Sequence, residues 1–248
     1  VRRVLRKRME NLGIKILTGA PLTDIAVKGD KVTGKYKDEV VEGDILLVAV
    51  GRKPNTAALD LARAGVKVDS RGTIPVDEHC RTNIASVFAI GDLVTGAVQL
   101  AHAATQRGIT AAENAAGLRT TVEAYCPACI FTVPEIGMAG LSESQAEKEG
   151  RAVKTGVFPF SALGKALAAG EPDGFVKWIA DPTTGQLLGA QAIGCHATDL
   201  IGEAALAIRN ELTVEEVAHS IHCHPTLSEA WMQAAHAFAG TCIDLPKR

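Results

Sequence analysis

Two continuous apolar runs constrain the fold more than any other feature of this 248-residue chain. The first covers residues 44–50 and ends in Gly51, and the second covers residues 86–90 and ends in Gly91-Asp92. A run without polar alternation suits a strand that is buried on both faces, as in a parallel sheet covered by helices. The sequence therefore predicts α/β structure in the first half of the chain.

Shorter sequence patterns predict the other helices and strands of the first half. Residues 1–12 are expected to form a basic amphipathic helix that Gly13 ends, and residues 101–116 a second helix that ends at Gly117. Short strands are predicted at 14–17, 22–27 and 32–36, with a hairpin connection at 28–31.

The second half has a different pattern. Strands at 153–158, 174–180 and 187–193 are expected to pair antiparallel, with a turn at 181–185 between the last two. Helices are predicted at 142–149, 198–209, 214–218 and 225–239. An antiparallel sheet with helices on one face is an α+β layer, and a dimer partner is one way to cover the other face.

Composition excludes several kinds of partner. A formal charge of −2 gives no basis for nucleic-acid or membrane-surface binding, and no apolar run is long enough to span a bilayer. The six cysteines are scattered, unlike a secreted disulfide scaffold, so a cytoplasmic location is expected. The chain begins Val1-Arg2-Arg3 without methionine, which we interpret as a processed chain or an excised piece.

The strongest chemical signal is an imidazole followed by a carboxylate, His224 and Glu229. Pro225 suits the first turn of a helix, which would place Glu229 in the early turns. A carboxylate against one ring nitrogen would fix the tautomer for general acid–base work. Two alternatives stay open: Thr226-x-x-Glu229 matches a capping box, and His222 and His224 could be ordinary loop histidines.

Other candidates are weaker when taken alone. Gly51 is a turn residue, and Asp92 could either bind sugar-like hydroxyls or cap the next segment. Cys126-Pro127-Ala128-Cys129 has the C-x-x-C form, but no second pair follows. Buried free thiols are the preferred interpretation, a zinc site with His222, Cys223 or His196 is disfavoured, and no metal site is predicted.

Residues 224–230 (HPTLSEA) resemble the C-terminal signature of dihydrolipoamide dehydrogenases, within the FAD-dependent pyridine nucleotide-disulfide oxidoreductases. The resemblance implies that His224 is the acid–base residue for a thiol and that Glu229 orients it. Glutathione reductases usually have serine where Leu227 stands. Mercuric reductases lack this histidine and end in a paired-cysteine tail that is absent here.

Two further segments carry the resemblance. Residues 87–92 (VFAIGD) are similar to the second FAD fingerprint, which implies that Asp92 binds the flavin ribitol beside Gly91. Gln99-Leu100-Ala101-His102 resembles the start of the helix whose N-terminus faces the flavin. Residues 50–55 are similar to the segment that closes the NAD domain, which places Gly51 near the nicotinamide nucleotide.

The resemblance implies the C-terminal part of an NAD-binding domain at 1–60, a second FAD segment at 61–120, and an interface domain at 121–248. It also implies FAD and NAD as cofactors, a homodimer through residues 121–248, and a lipoyl-bearing protein as substrate. The sequence holds neither Gly-x-Gly-x-x-Gly nor Cys-x-x-x-x-Cys, so this chain alone is expected to be inactive and residues 1–120 to be the less secure part. A catalytically silent dimerisation module, or part of a related disulfide or quinone reductase, remains the alternative.

Overall fold

The computed structural model describes residues 1–123 and 125–246. Its first elements are helix α1 (Arg2–Asn11) and strands β1 (Leu22–Lys28), β2 (Lys31–Tyr36) and β3 (Glu39–Gly43), which form an antiparallel sheet in sequence order. The predicted hairpin is confirmed, because Lys28 pairs with Lys31. Strand β3 was not predicted, since its charged sequence has no apolar run. Residues 14–17 were predicted as a strand, but they do not form one.

The prediction of a buried parallel strand at residues 44–50 is wrong in this structure. Ile45, Leu47 and Val50 are 88%, 85% and 92% exposed. A strand of this kind is held by ladder hydrogen bonds to neighbours on both sides and by helices on both faces. No described strand pairs with this segment, so its apolar side chains stay in contact with solvent.

Residues 86–90 also fail to form the predicted strand. They contribute only an isolated antiparallel bridge between Phe88 and Arg81, and the chain then enters a 3-10 turn at Gly91–Leu93. Around them lies a small buried cluster of Val66, Ile74, Ala89 and Val94. A parallel bridge between Ile74 and Val94 helps to close it.

Helix α2 (Ala101–Ala115) follows and confirms the predicted helix at 101–116. Gly117 ends it with φ +91°, a left-handed conformation that favours glycine. The amide of Asn114, which is buried, donates to the carbonyls of Thr110 and Thr120 at 2.8 Å each. These bonds tie the end of α2 to the segment that leads into the second half.

The second half contains a five-stranded antiparallel sheet with the order β4-β5-β8-β7-β6. Its strands are β4 (Ala128–Ile130), β5 (Glu135–Gly140), β6 (Lys154–Pro159), β7 (Phe175–Ala180) and β8 (Leu187–Gly194). Its helices are α3 (Glu143–Lys148), α4 (Gly164–Ala168), α5 (Ala197–Arg209), α6 (Val214–His219) and α7 (Glu229–Ala239). The three predicted antiparallel strands are confirmed, with bounds that differ by one residue. The family resemblance also implies an opening strand of the interface domain at residues 130–135, but β4 ends at Ile130 and β5 begins at Glu135, with no strand at 131–134.

Two helices cover this sheet, α5 on β5 and β8, and α7 on β6 and β7. Glycine lets them approach closely: a Cβ on Gly156 would lie 2.2 Å from the Ala234 carbonyl oxygen of α7. Trp178 and Trp231 fill the space between, with ring centroids 4.5 Å apart and both side chains fully buried. Burying a large apolar side chain contributes about 1.5–3 kcal/mol, so these contacts stabilise the second half.

Caps fix the helix starts of this half. Ser142 and Thr213 each form a capping box, with Gln145 and Glu216 respectively. Within residues 1–123 and 125–246, no helix is long and apolar enough to cross a membrane.

Candidate active site

The turn between α6 and α7 brings His224 and Glu229 together. Nδ1 of His224 lies 2.9 Å from Oε1 of Glu229, and Oε2 of the same carboxylate accepts the Thr226 N–H at 2.7 Å. Thr226 Oγ1 donates to the Cys223 carbonyl at 2.7 Å, which tightens the turn. The pairing of Glu229 with the imidazole is formed, whereas the capping box considered in the sequence is not. Glu229 accepts the Thr226 N–H, but the Thr226 hydroxyl bonds to Cys223 and Ser228 and caps no helix N–H.

The predicted start of the last helix is wrong. Pro225 lies in the turn and not in a first helical turn, and α7 begins at Glu229 with Ser228 as its N-cap. The reason lies in the hydrogen bonds of the turn, since the Thr226 N–H is bonded to a side chain. Glu229 is consequently the first residue of the helix, where a carboxylate also interacts favourably with the helix dipole.

The two partners differ in exposure. The Glu229 side chain is 13% exposed and the His224 side chain is 77% exposed. Because a carboxylate only accepts, the neutral imidazole carries its hydrogen on Nδ1, and Nε2 is left with a lone pair. No described residue bonds to Nε2, so the ring presents a base to the outside of this chain.

A second cluster surrounds Asp92, in the 3-10 turn that precedes α2. Gly91 adopts φ +76°, which suits glycine, and Gln99 Nε2 donates to the Asp92 carbonyl at 3.4 Å. Leu100 is the N-cap of α2 and Ala101 its first residue, and no side chain caps this helix. The structure thus collects Gly91, Asp92, Gln99, Leu100 and Ala101 beside one uncapped helix N-terminus.

Arg52 was not singled out in the sequence. Its guanidinium lies 3.4 Å from Oδ2 of Asp92, and the two side chains are 73% and 38% exposed. The neighbouring Gly51 has φ +124° and open space where a Cβ would stand. The opposite charges of Arg52 and Asp92 are the only sequence signal for this pair, and the spacing of the two residues in the sequence does not indicate that they are in contact.

His102 is directed toward the second half. Its Nε2 lies 2.7 Å from the Pro127 carbonyl oxygen, which requires the hydrogen on Nε2. Together with Arg107 and Cys126 it lines an open cleft of about 340 Å³. No hydrogen bond or ion pair between described residues joins this region to His224 and Glu229.

The C-x-x-C cysteines have separate partners. Cys126 Sγ donates to the Pro127 carbonyl at 3.6 Å, and Cys129 Sγ to the Thr198 carbonyl at 3.7 Å. Burial raises the pKa of both thiols, which disfavours the reactive thiolate. Among the described residues, no group of three His, Cys, Asp or Glu side chains is placed to hold a metal ion.

Comparison with known proteins gives consistent matches over nearly the whole chain. Residues 126–235 match the family described as pyridine nucleotide-disulphide oxidoreductase, dimerisation domain, and residues 1–108 match pyridine nucleotide-disulphide oxidoreductase. The dihydrolipoyl dehydrogenase of Chlamydia muridarum is 45% identical, over 94% of this chain and 50% of that protein. That of Geobacillus stearothermophilus is 41% identical, over 98% of this chain and 52% of that protein.

Solved structures agree. The crystal structure of LpdA from Mycobacterium tuberculosis superposes with a TM-score of 0.88 at 29% identity, covering 94% of this chain and 51% of that chain. The fold class is confirmed as partial α/β dinucleotide-binding structure followed by an α+β dimerisation domain. The chain spans about half the length of the curated relatives it matches, and it belongs to the pyridine nucleotide-disulphide oxidoreductase family.

Proposed function

We propose that this chain forms part of a dihydrolipoyl dehydrogenase, in which His224 and Glu229 are the acid–base pair. The observation that carries the proposal is the 2.9 Å contact between His224 Nδ1 and Glu229 Oε1, with Nε2 directed away from the chain. A base that is oriented by a mostly buried carboxylate and open on its other nitrogen has the arrangement of a general base.

In this proposal Nε2 of His224 takes the proton of a dihydrolipoyl thiol, which leaves a thiolate. The imidazolium that forms then carries a hydrogen on each nitrogen, and Glu229 stabilises it through the Nδ1–H bond. Because Glu229 also holds the Thr226 N–H, its carboxylate is fixed before the proton moves. Little reorganisation is then needed during transfer.

The family uses FAD and a pyridine nucleotide. Residues near Asp92 partly fit a flavin: the Asp92 carboxylate suits ribitol hydroxyls, and the uncapped N-terminus of α2 suits flavin oxygens. When bound, FAD would supply the electron acceptor for the dithiol. Leu100, Ala101 and His102 would lie at the helix end beside it, and Gly51 near the nicotinamide nucleotide. The Arg52 guanidinium now paired with Asp92 would have to release the carboxylate.

The match to a dimerisation domain supports a homodimer. We propose that the dimer forms through residues 121–248, and that His224 of one subunit serves the active site of the other. Its 77% exposed side chain supports this, because a general base works where solvent is displaced by a second surface. The proposal includes division of the chain at 1–60, 61–120 and 121–248, a lipoyl-bearing protein substrate, and a cytoplasmic location.

A catalytically silent dimerisation module is the second candidate. The Arg52–Asp92 ion pair favours it, since it occupies the carboxylate that a flavin would need.

A chimaeric enzyme separates the two candidates. The chain would replace the matching half of the Chlamydia muridarum enzyme, and dihydrolipoamide-dependent NAD reduction would be measured. We expect turnover, and a loss of roughly 10²–10⁴-fold in kcat for His224→Gln, the range for an acid–base residue. His196→Gln is the matched control, because His196 is an exposed histidine that also has a carboxylate neighbour, Asp199 at 3.4 Å.

Three outcomes are informative. A His224→Gln chimaera with nearly unchanged kcat would remove the acid–base role. A chimaera that binds FAD and dimerises yet shows no turnover would favour the silent module. Loss of activity in His196→Gln as well would point to a folding defect and not to chemistry.

A further inference from the structure

His222 is the more enclosed of the two histidines in the turn that carries the candidate base. Its side chain is 10% exposed, against 77% for His224. Nε2 lies 2.7 Å from Oε1 of Glu203, on α5, and Nδ1 lies 2.8 Å from the Ser220 carbonyl oxygen. Both ring nitrogens are therefore engaged, one with a carboxylate and one with the backbone.

Both partner atoms are acceptors. A carbonyl oxygen and an ionised carboxylate each accept a hydrogen bond and cannot donate one, so each ring nitrogen of His222 faces an acceptor. The neutral imidazole donates to one of these acceptors, and the imidazolium donates to both. With the ring protonated, the contact with Glu203 is a charge-assisted bond, which is shorter and stronger than a neutral one.

Because of its position in the chain, His222 connects the turn that carries His224 to two neighbouring helices. Ser220 is the C-cap of α6, and its hydroxyl donates to the Glu216 carbonyl at 2.8 Å. His222 thus ties the start of the turn to both α6 and α5. The end of the turn is tied to α7 by Glu229, so His224 lies between two points of attachment on different helices.

We propose that His222 is a positioning residue: its bonds to Glu203 and Ser220 set the backbone at 220–224 so that the His224 ring meets Glu229 with Nδ1. The catalytic value of this arrangement rests on the proposed function, whereas the arrangement itself does not. If His222 only stabilised the domain, replacing it would not change which ring nitrogen of His224 carries the hydrogen.

The tautomer of His224 is the readout that separates these roles. The ring nitrogens of the seven histidines can be recorded by ¹⁵N–¹H NMR on the whole chain, and assigned by single substitutions. In the unmodified chain we expect neutral His224 to be mainly the Nδ1–H tautomer, because Glu229 accepts that hydrogen. His222→Ala should lower the Nδ1–H fraction by roughly twofold or more, since the tautomer follows the hydrogen bond available to the ring.

Glu203 tests the same connection from the other side. Glu203→Ala is expected to shift the His224 tautomer in the same direction as His222→Ala, and Glu203→Gln less, since the amide oxygen still accepts. The Glu203 side chain is 39% exposed, so its replacement leaves the core packing in place. His196→Ala, in a separate exposed pair, should leave His224 unchanged.

An unchanged His224 tautomer in both His222→Ala and Glu203→Ala, with folded spectra, would overturn the inference. If His222→Ala does not fold, Glu203→Ala decides alone. Failure of the proposed function is a different result: kcat of the chimaera would then be nearly unchanged by His224→Gln, while the tautomer shift would still be seen.

Discussion

Each half of the chain contains an apolar run, but the run in the first half is exposed to solvent and the run in the second half forms a buried strand. Residues 44–50 form no strand and are largely exposed, with Val50 at 92%. Strand β8 is also mostly apolar, apart from Gln191, but it is paired with β5 on one side and β7 on the other and is buried over nearly its whole length. A continuous apolar run becomes a buried strand only where neighbouring strands receive its backbone hydrogen bonds.

The cores differ in the same way. In the first half the buried apolar cluster is limited to Val66, Ile74, Ala89 and Val94. In the second, a continuous core runs from the sheet into α5, α6 and α7 and includes both tryptophans. Hairpins and helices form in both halves because their hydrogen bonds are local. A sheet whose strands are far apart in sequence, with helices packed on it, is formed only in the second half.

The largest expected difference comes from the core. Phe158 is fully buried on β6, and Phe158→Ala should lower the free energy of unfolding by about 3–5 kcal/mol. Because both tryptophans of the chain, Trp178 and Trp231, lie in the second half, their fluorescence during urea unfolding reports that half alone. Ile74→Ala, in the small cluster, should leave the tryptophan transition in place. A shift of equal size would show that the halves unfold as one unit.

Close packing of helix on sheet gives the next effect. A Cβ on Gly137 of β5 would lie 2.5 Å from the Ala197 carbonyl oxygen and 2.7 Å from the Ile201 Cβ. Gly137→Ala should destabilise the second half by about 1–3 kcal/mol, as overpacking usually does. Gly202→Ala, on the open side of α5, should instead stabilise it by about 0.5–1 kcal/mol. The urea midpoints of the two variants should therefore move in opposite directions. Midpoints that move in the same direction would contradict the described contact of α5 with β5.

Substitution in the exposed run should have little effect. Leu47 is 85% exposed, so Leu47→Asn should change the free energy of unfolding by less than about 0.5 kcal/mol. Leu187→Asn, in the buried strand β8, should cost several times more, because Leu187 is 1% exposed. Thermal unfolding followed by circular dichroism compares the two. A large loss for Leu47→Asn would mean that residues 44–50 are buried after all.

Acid should loosen one turn of the first half before it affects the fold. The Thr73 hydroxyl and N–H, with further bonds from Arg71 and Thr95, lower the pKa of Asp69 to about 2. Because the folded pKa lies below the unfolded value of about 3.9, this stabilisation is complete above the unfolded pKa and is lost as pH falls toward the folded one. NMR titration of the Asp69 carboxyl and amide exchange at 71–73 should both show it. Asp69→Asn should make the protection of these amides, taken relative to their intrinsic exchange rate at each pH, independent of pH in the same window.

Much of the second half could be predicted because its signals are local. Ser142 and Thr213 cap helices through contacts three residues away, and the 181–185 turn follows from Asp181 accepting the N–H groups of Thr183 and Thr184. The pairing of His224 with Glu229 was also within reach, since both belong to one turn. The start of α7 was misplaced because Pro225 is equally suited to a turn.

The remaining features depend on residues far apart in sequence. Arg52 reaches Asp92 across forty positions, and Glu203 reaches His222 across nineteen. Neither pair leaves a pattern in the spacing of its residues. The exposure of 44–50 was also unpredictable, because an apolar run specifies a preference for burial and not the partners that provide it.

Hydrogen exchange of the whole chain, read by mass spectrometry, compares the two halves most directly. Amides of β5, β7, β8, α5 and α7 should exchange slowly, with protection that approaches global unfolding, whereas residues 44–56 should exchange almost as fast as an unfolded peptide. Slow exchange at 44–56, equal to that of β8, would contradict the division into a complete second half and an incomplete first half.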